Sequence, residues 1–285
     1  MSQKHPIIAV TGSSGAGAEP VMTAFTHLFW REKVNAVVVH GDGFHRYNRA
    51  EMKKEVASGR AITHFGPEGN LLEKQEAVFR EYGESGTGEH RRYLHTEAEA
   101  AEHGQAPGTQ TPWQRIPEGT DLLFYQGLHG GFVSPEIDIA RHVDLLIGVT
   151  PIINLEWIQK ILKDSSERGY SSEAVVHSIV SRMGDYVNHI TPQFSRTHIN
   201  FQRVPVVDTS NPFIARDVPT LAESLMVIRF RYPKGIDFPY LLEMLPNAFM
   251  SRPNSIVIPG GKAMNAMEII LGPMLRDLME GKRKA

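Results

Sequence analysis

The sequence predicts an α/β fold, a sheet wound with crossover helices, and three observations carry that prediction. Short apolar runs alternate with longer amphipathic stretches along the chain, and the first apolar run opens into a glycine-rich turn. The 285 residues, 41% of them hydrophobic, suffice to bury a large core, so a single extended domain over residues 1–285 is expected.

Taken in order, residues 7–10 (Ile-Ile-Ala-Val) read as the first strand, and Val21, Met22, Ala24, Phe25 and Leu28 place apolar positions at helical spacing over 21–33. A second strand follows at 36–39 and a second helix at 71–82. Between 83 and 120 the composition shifts to Gly, Glu, His, Thr and Pro, with Tyr93-Leu94-His95 embedded. That is a surface excursion of the kind that forms active-site lids. Strands are predicted at 122–125 and 145–149, then helices at 155–168, with Leu155, Ile158 and Leu162 as the buried stripe, and at 173–190. Strands at 204–207, 225–230 and 255–258 and a closing helix at 262–280 complete the pattern, which suits crossover helices between strands. No internal repeat or low-complexity tract occurs, and Lys282-Arg283-Lys284 reads as a solvated helix end.

Composition narrows the function. A formal net charge of −2 provides no global basic field for nucleic acid or anionic membrane, so a small-molecule ligand is expected. The absence of cysteine removes disulfides, thiolate metal sites and thiol switching together. The N-terminus lacks an apolar signal core, and no apolar run approaches the roughly 20 residues that span a bilayer, which makes cytoplasmic placement the expectation.

Four clusters carry chemistry. The first is Gly12-Ser13-Ser14-Gly15-Ala16-Gly17-Ala18-Glu19-Pro20, a strand-to-helix turn whose backbone N–H groups converge on an anion, as in a phosphate-binding P-loop. The usual Lys and hydroxyl at its end are replaced by Ala18 and Glu19. The second is His40-Gly41-Asp42-Gly43-Phe44-His45-Arg46-Tyr47-Asn48-Arg49 with Lys53 beyond it. A carboxylate at the end of the strand beside the loop strand is placed to take a proton from an attacking hydroxyl, which makes Asp42 the candidate base. His45, Arg49 and Lys53 recur every four residues and would share one face of a helical segment, clamping a substrate phosphate; a solvated basic face is the plain alternative. The third, Leu122 through Gly130, ends an apolar strand in Gln126 where a P-loop enzyme usually delivers a metal-supporting acid, with His129 close behind. The fourth is the 154–170 helix, where Lys160, Lys163, Asp164 and Arg168 lie away from the apolar stripe; Arg168 there could reach a transferring phosphate, and ordinary helical ion pairs are the competing reading.

With these clusters in order, the chain resembles the bacterial phosphoribulokinase family along nearly its whole length. The segments that carry the resemblance are HPIIAVTGSSGAG, GDGFHRYNRAEMK, EYGESGTG with YLH, LLFYQGLHGG, NLEWIQK, ITPQFSRTHINFQRVPVVDTSNPF and GIDFPY. The resemblance implies a P-loop kinase-like domain with a mixed, mostly parallel sheet flanked by helices. It further implies transfer of the γ-phosphate of MgATP to O1 of D-ribulose 5-phosphate, giving ribulose 1,5-bisphosphate. A homo-oligomer, with NADH or AMP as effector, is also implied, while the cysteine switch of plant-type relatives is impossible here. By the same resemblance Asp42 is the base, and His45, Arg49, Lys53, Tyr93 and His95 surround the sugar phosphate. Lys160 and Arg168 assist transfer, with Lys163 where the family often has Arg and Asp164 as the acidic neighbour. Ser13, Ser14, Gly15, Ala16, Gly17, Ala18 and Glu19, with Gly12 before them, line the nucleotide. Arg31, Arg229 and Arg252 match effector positions, and Gln126 and Glu19 stand at the metal end.

The departures fall at two places that touch MgATP. Ala18-Glu19-Pro20 replaces a hydroxyl-rich run, and Gln126 replaces a Glu. A carboxylate about 4 Å from a phosphate charge costs on the order of 1 kcal/mol in water and about 4 kcal/mol at the effective dielectric of a protein surface. Pro20 suits a first helical turn but removes one N–H donor from the anion cradle. Because one carboxylate is lost at 126 and one gained at 19, direct Mg²⁺ ligation by Glu19 is an alternative to repulsion. Three readings stay open: an active kinase, a sugar-phosphate and effector-binding protein without turnover, and a partner subunit for an active relative.

Overall fold

Ile7–Thr11 is apolar except at its last residue and is buried throughout, which places β1 inside a sheet covered on both faces. The computed structural model describes residues 4–12, 19–168 and 171–284, excepting the side chains of residues 19, 167, 168, 283 and 284. Among them the strands are β1, β2 (Ala36–His40), β3 (Glu89–His90), β4 (Gln114–Arg115), β5 (Leu122–Gly127), β6 (Leu145–Val149), β7 (Ile199–Pro205), β8 (Ser224–Phe230), β9 (Phe249–Arg252) and β10 (Ser255–Pro259). The helices are α1 (Glu19–Glu32), α2 (Arg49–Ala57), α3 (Leu72–Ser85), α4 (Glu97–Glu102), α5 (Ile153–Arg168), α6 (Ser172–Asp185), α7 (Phe238–Met244) and α8 (Ala263–Lys284).

Eight strands make one sheet in the order β2-β5-β1-β6-β7-β8-β10-β9. The β2-to-β7 half is parallel, and the remaining strands add antiparallel, so the sheet is mixed as the resemblance implies. Helices α1 and α8 cover one face: Val21, Phe25, Leu28, Met267, Leu271 and Leu275 share a core with Ile8, Phe124 and Ile147. On the other face Leu72, Val78, Phe79 and Tyr82 of α3 meet Ile7, Ala9, Leu123 and Tyr125. A smaller cluster joins α5 to α6 through Ile161, Val175 and Ile179.

Several expectations are adjusted. The strand expected at 204–207 begins at Ile199: its first three residues are buried and its last four partly so, and the polar residues Asn200, Gln202 and Arg203 interrupt the apolar ones and conceal the strand from an apolar-run search. Val206 and Val207 lie outside it and are exposed. On α5 the third buried apolar position is Ile161 rather than Leu162. His45 does not share a helix with Arg49 and Lys53. Asn48 caps α2 through a capping box with Glu51, so the helix starts at Arg49 and leaves His45 buried in the preceding turn. The 83–120 excursion is pinned to the body by buried Leu94, Ala100 and Ile116, and Tyr82 Oη meets Thr120 Oγ1 at 2.9 Å.

Candidate active site

The register His40↔Gln126↔Val10 lines up the C-terminal ends of β2, β5 and β1, the edge at which parallel α/β sheets bind ligands. Gly41 and Gly127 approach each other so closely that a Cβ on Gly127 would stand 2.7 Å from the Gly41 Cα and also strike the Tyr125 hydroxyl. Behind this edge Gln193 ties three segments together. Its Oε1 accepts from Thr11 Oγ1 (3.0 Å) and from Gly131 N (2.9 Å), and its Nε2 donates to the carbonyls of Leu128 (2.9 Å) and His189 (2.8 Å).

Asp42 lies in the short helical turn Gly41–Phe44 that follows β2. Its Oδ2 meets His95 Nε2 at 2.9 Å and its Oδ1 meets His45 Nε2 at 3.3 Å. Burial alone would raise its pKa, but the hydrogen bonds and charge of His45 and His95 outweigh it and hold the carboxyl far below the usual carboxylate range. Arg91 clamps the turn by donating from Nε to the Gly43 carbonyl (2.7 Å) and from Nη2 to the His45 carbonyl (2.8 Å), and it stacks over Trp113 at 4.6 Å.

Of the predicted sugar-phosphate residues, the structure brings His45, Tyr93, His95 and Arg49 together. The Tyr93 ring contacts both histidine rings, at 5.5 Å from His45 and 4.8 Å from His95. Arg49 Nη2 donates to the His95 carbonyl at 3.0 Å, and its backbone N–H bonds the Gly108 carbonyl at 2.8 Å. Gly108 has φ +83°, and a Cβ there would strike Arg49 at 2.7 Å, so glycine lets the excursion close onto α2. Lys53 is exposed one turn beyond Arg49.

Lys160 Nζ bonds Asp164 Oδ2 at 2.7 Å, Lys163 is exposed, and a small pocket between α5 and α6 is lined by Lys160, Glu156, Trp157, Arg182, Tyr186 and Phe65. Ser13, Ser14, Gly15, Ala16, Gly17 and Ala18, and the side chains of Glu19 and Arg168, lie outside the described residues. Gln126 is partly buried and offers a neutral amide. Among the described residues no group of three or more His, Asp or Glu side chains suited to a metal ion occurs. Asp42 is already engaged by two histidines, so among the described residues this edge offers no free carboxylate oxygen of the kind a divalent ion favours.

Arg229 and Arg252 are exposed, and both pair with Ser255, one from β8 and one from β9, so they flank it in one row of the sheet. Arg31 is on α1 against α8, bonded to Glu32 (3.1 Å) and near Glu268 (3.7 Å). Sequence reasoning missed Asn70, His64 and Arg91. Asn70 is 1% exposed and bonds His45 Nδ1, while the His64 ring stacks on His45 at 4.0 Å. Burial lowers the His64 pKa to about 3 and that of His129, which is fully packed behind Asn70, to about 4. No periodic pattern marks these positions; only isolated polar residues in an irregular loop precede them.

A mixed sheet whose parallel half carries a first strand followed in sequence by a glycine-rich segment and a helix, with a carboxylate set between two histidines at the end of a nearby strand, is the architecture of a P-loop kinase. The model of the phosphoribulokinase / uridine kinase family matches residues 7–210, and the chain belongs to that family. It is 57% identical over 290 residues to a plasmid phosphoribulokinase of Cupriavidus necator, covering 100% of this chain and 99% of that one. It is 58% identical to a probable phosphoribulokinase of Escherichia coli, covering 99% of each. A solved phosphoribulokinase from Rhodobacter spheroides superposes with a TM-score of 0.90 at 53% identity, covering 99% of this chain and 100% of that one. Membership implies use of ATP and Mg²⁺. No helix among the described residues is long and apolar enough to cross a membrane.

Proposed function

We propose that this protein, as one kinase domain over residues 1–285, phosphorylates D-ribulose 5-phosphate at O1 with ATP to give ribulose 1,5-bisphosphate. Turnover is weakened by Ala18, Glu19 and Gln126. The observation that carries the chemistry is the Asp42 carboxylate, held ionised between His45 and His95 at the end of β2. The identity of the full-length relatives named phosphoribulokinase supports the substrate.

In the reaction the sugar hydroxyl oxygen bonds to the γ-phosphorus, the bond from that phosphorus to the bridging oxygen breaks, and ADP leaves. The hydroxyl proton passes to Asp42. Because two histidines stabilise the anion, Asp42 is a weak base in the resting site, so it accepts the proton late, as the hydroxyl acidifies on bonding to phosphorus. Arg49 and Lys53 of α2 hold the sugar phosphate, with His45, Tyr93 and His95 closing around the sugar. Lys160 and Arg168 neutralise the transferring group. Arg31, Arg229 and Arg252 bind an NADH or AMP effector between subunits of a homo-oligomer in the cytoplasm.

A second reading rests on Gln126: its neutral amide at the metal end fits a protein that binds sugar phosphate and effector without turnover, alone or as a partner subunit. Phosphorus NMR of ATP with ribulose 5-phosphate and the purified protein separates the two. Formation of a bisphosphate and ADP that disappears in Asp42→Asn supports the kinase. Sugar-phosphate binding by calorimetry with no ADP formed supports the second reading.

A further inference from the structure

The buried side of the Asp42 pair is built around an amide that the family resemblance did not mark. Asn70 Nδ2 donates to the carbonyls of His64 (2.9 Å) and Gly66 (2.7 Å). Those two acceptors fix the orientation of the amide, since a flipped group would face its oxygen against both carbonyls. Oδ1 is thereby turned to His45 Nδ1 at 2.9 Å, where it accepts only. The ring nitrogen must then carry the hydrogen. The geometry is held from several sides. Arg46 N bonds the Gly69 carbonyl (2.9 Å) and Leu71 N bonds the Phe44 carbonyl (2.7 Å), which locks the two loops in register, and the His64 ring stacks on His45.

We infer that Asn70 is the positioning residue of the proton-accepting pair: its carboxamide oxygen takes the Nδ1 hydrogen of His45 while the Asp42 carboxylate takes one from Nε2, so the ring stands between two acceptors with a hydrogen on each nitrogen. This rests on the reading of Asp42 as the base. With Nδ1 committed, the proton that moves on the buried side is the one between His45 Nε2 and Asp42 Oδ1, while Oδ2 and the exposed His95 face the substrate side. A loss of the amide removes the acceptor that holds the Nδ1 hydrogen, so the ring keeps only its Nε2 hydrogen toward Asp42 and the bond changes from a charge-assisted to a neutral one, which weakens the pair. The ionisable groups facing it are His40 of β2, Arg49 of α2, His64 from the Asn70 loop, Tyr93 and His95 of the excursion, and His129 after β5.

Histidine ¹⁵N NMR on the full chain, with His45→Gln to assign the signal, tests directly which ring nitrogens carry a hydrogen. Pyrrole-type signals from both Nδ1 and Nε2 are expected for His45 in the wild type and in Asn70→Asp, which keeps the acceptor, and a pyridine-type Nδ1 beside a retained pyrrole-type Nε2 is expected in Asn70→Leu. Kinetically, Asn70→Leu should lower kcat on the order of 10- to 100-fold, leave KM for MgATP within about twofold, and shift the acidic limb of the pH profile. The same substitution made in His45→Gln should lower kcat no further, whereas a merely structural role would add its loss in both backgrounds. If Asn70→Leu does not fold, Asn70→Ser replaces it. A pyridine-type Nδ1 in the wild type, or an undiminished loss in the His45→Gln background, overturns the inference. Should the wild type show no Asp42-dependent transfer, the kinase reading fails, and the nitrogen signals still decide whether Asn70 holds the Nδ1 hydrogen.

Discussion

His95 Nε2 stands 2.9 Å from Asp42 Oδ2, and it is brought there by an excursion that also delivers Tyr93 and is held to α2 by Arg49 and Gly108. The carboxylate at the end of a core strand is thus paired with a side chain from a surface segment. Because both groups are more than a third exposed, at 46% and 38%, solvent screens their bond, and it remains accessible to a substrate hydroxyl.

Removing that contact should act on the acid side of the pH profile. His95→Ala takes away one of the two hydrogen bonds that hold the Asp42 pKa down, so the pKa rises toward the ordinary range. The acidic limb of kcat/KM should move to higher pH, with a loss of about tenfold at neutral pH, the lower end of what a charge-assisted bond supports once exposure is allowed for. A profile measured from pH 5 to 9 that keeps its acidic limb in place would speak against Asp42 and His95 acting as a pair.

Gln193 gives a stability prediction independent of catalysis. Its amide is 1% exposed and its four hydrogen bonds hold Thr11, Leu128, Gly131 and His189. Gln193→Leu keeps the volume but leaves those partners without their bonds, each costing about 1–3 kcal/mol when it stays buried. Partial relaxation should bring the total to roughly 3 kcal/mol, read as a lower urea midpoint with an unchanged slope. A midpoint like that of the wild type would show that the loop after β5 is held by other contacts.

Acid should destabilise the fold before ordinary carboxylates titrate. His64 and His129 have folded pKa values of about 3 and about 4, lowered by burial below 6.5, so each is neutral in the folded chain where the unfolded chain takes up a proton. Their contribution to stability is complete above about pH 6.5. It falls as pH drops toward 4, by up to about 1.4 kcal/mol per pH unit for each histidine. Asp42, with its pKa depressed, loses its contribution in the same direction but at lower pH. Unfolding midpoints at pH 7, 6 and 5 should therefore fall steadily, and His129→Gln should flatten that slope. A flat response between pH 7 and 5 in the wild type would refute the buried neutral state.

How much of this was legible beforehand depends on what kind of signal each residue leaves. Helices α1, α3, α5 and α8 and strands β1, β2, β5, β6, β8 and β10 follow apolar spacing, and that spacing is a consequence of two-sided or one-sided burial. Strand β7 was misplaced because polar residues interrupt its apolar ones, and α2 was extended too far back because Asn48 was not recognised as its cap. Asp42 could be named from its place after a strand and His45 from its four-residue spacing to Arg49 and Lys53, whereas Tyr93 and His95 were assigned to the site only through family resemblance. Asn70 and Arg91 left no signal, since each acts through contacts made between loops distant in sequence, the amide of Asn70 with His45 and the guanidinium of Arg91 with the backbone around Phe44. Such contacts are specified by tertiary packing and not by any local period.

The nucleotide end poses the sharpest test, because Gln126 pairs with Val10 and His40 at the strand ends while Glu19 opens α1. If Glu19 repels the phosphates, Glu19→Ser should tighten MgATP binding, by up to about a thousandfold if the full 4 kcal/mol of a surface-dielectric contact is relieved. Gln126→Glu should return a charged oxygen for Mg²⁺, and the double substitution should raise the rate beyond either single one, with Asp42 essential throughout. If Glu19 instead ligates Mg²⁺, the wild type turns over readily and Glu19→Ala weakens Mg²⁺ affinity and rate together. Repulsion is favoured on geometry: Glu is longer than the Ser or Thr of a hydroxyl-rich loop, and Mg²⁺ demands tight octahedral coordination at short range. Calorimetric titration of MgATP into the wild type, both single variants and the double variant, paired with ADP release, separates these outcomes. A double variant that binds MgATP tightly yet shows no Asp42-dependent transfer would sink both accounts and leave the partner-subunit reading standing.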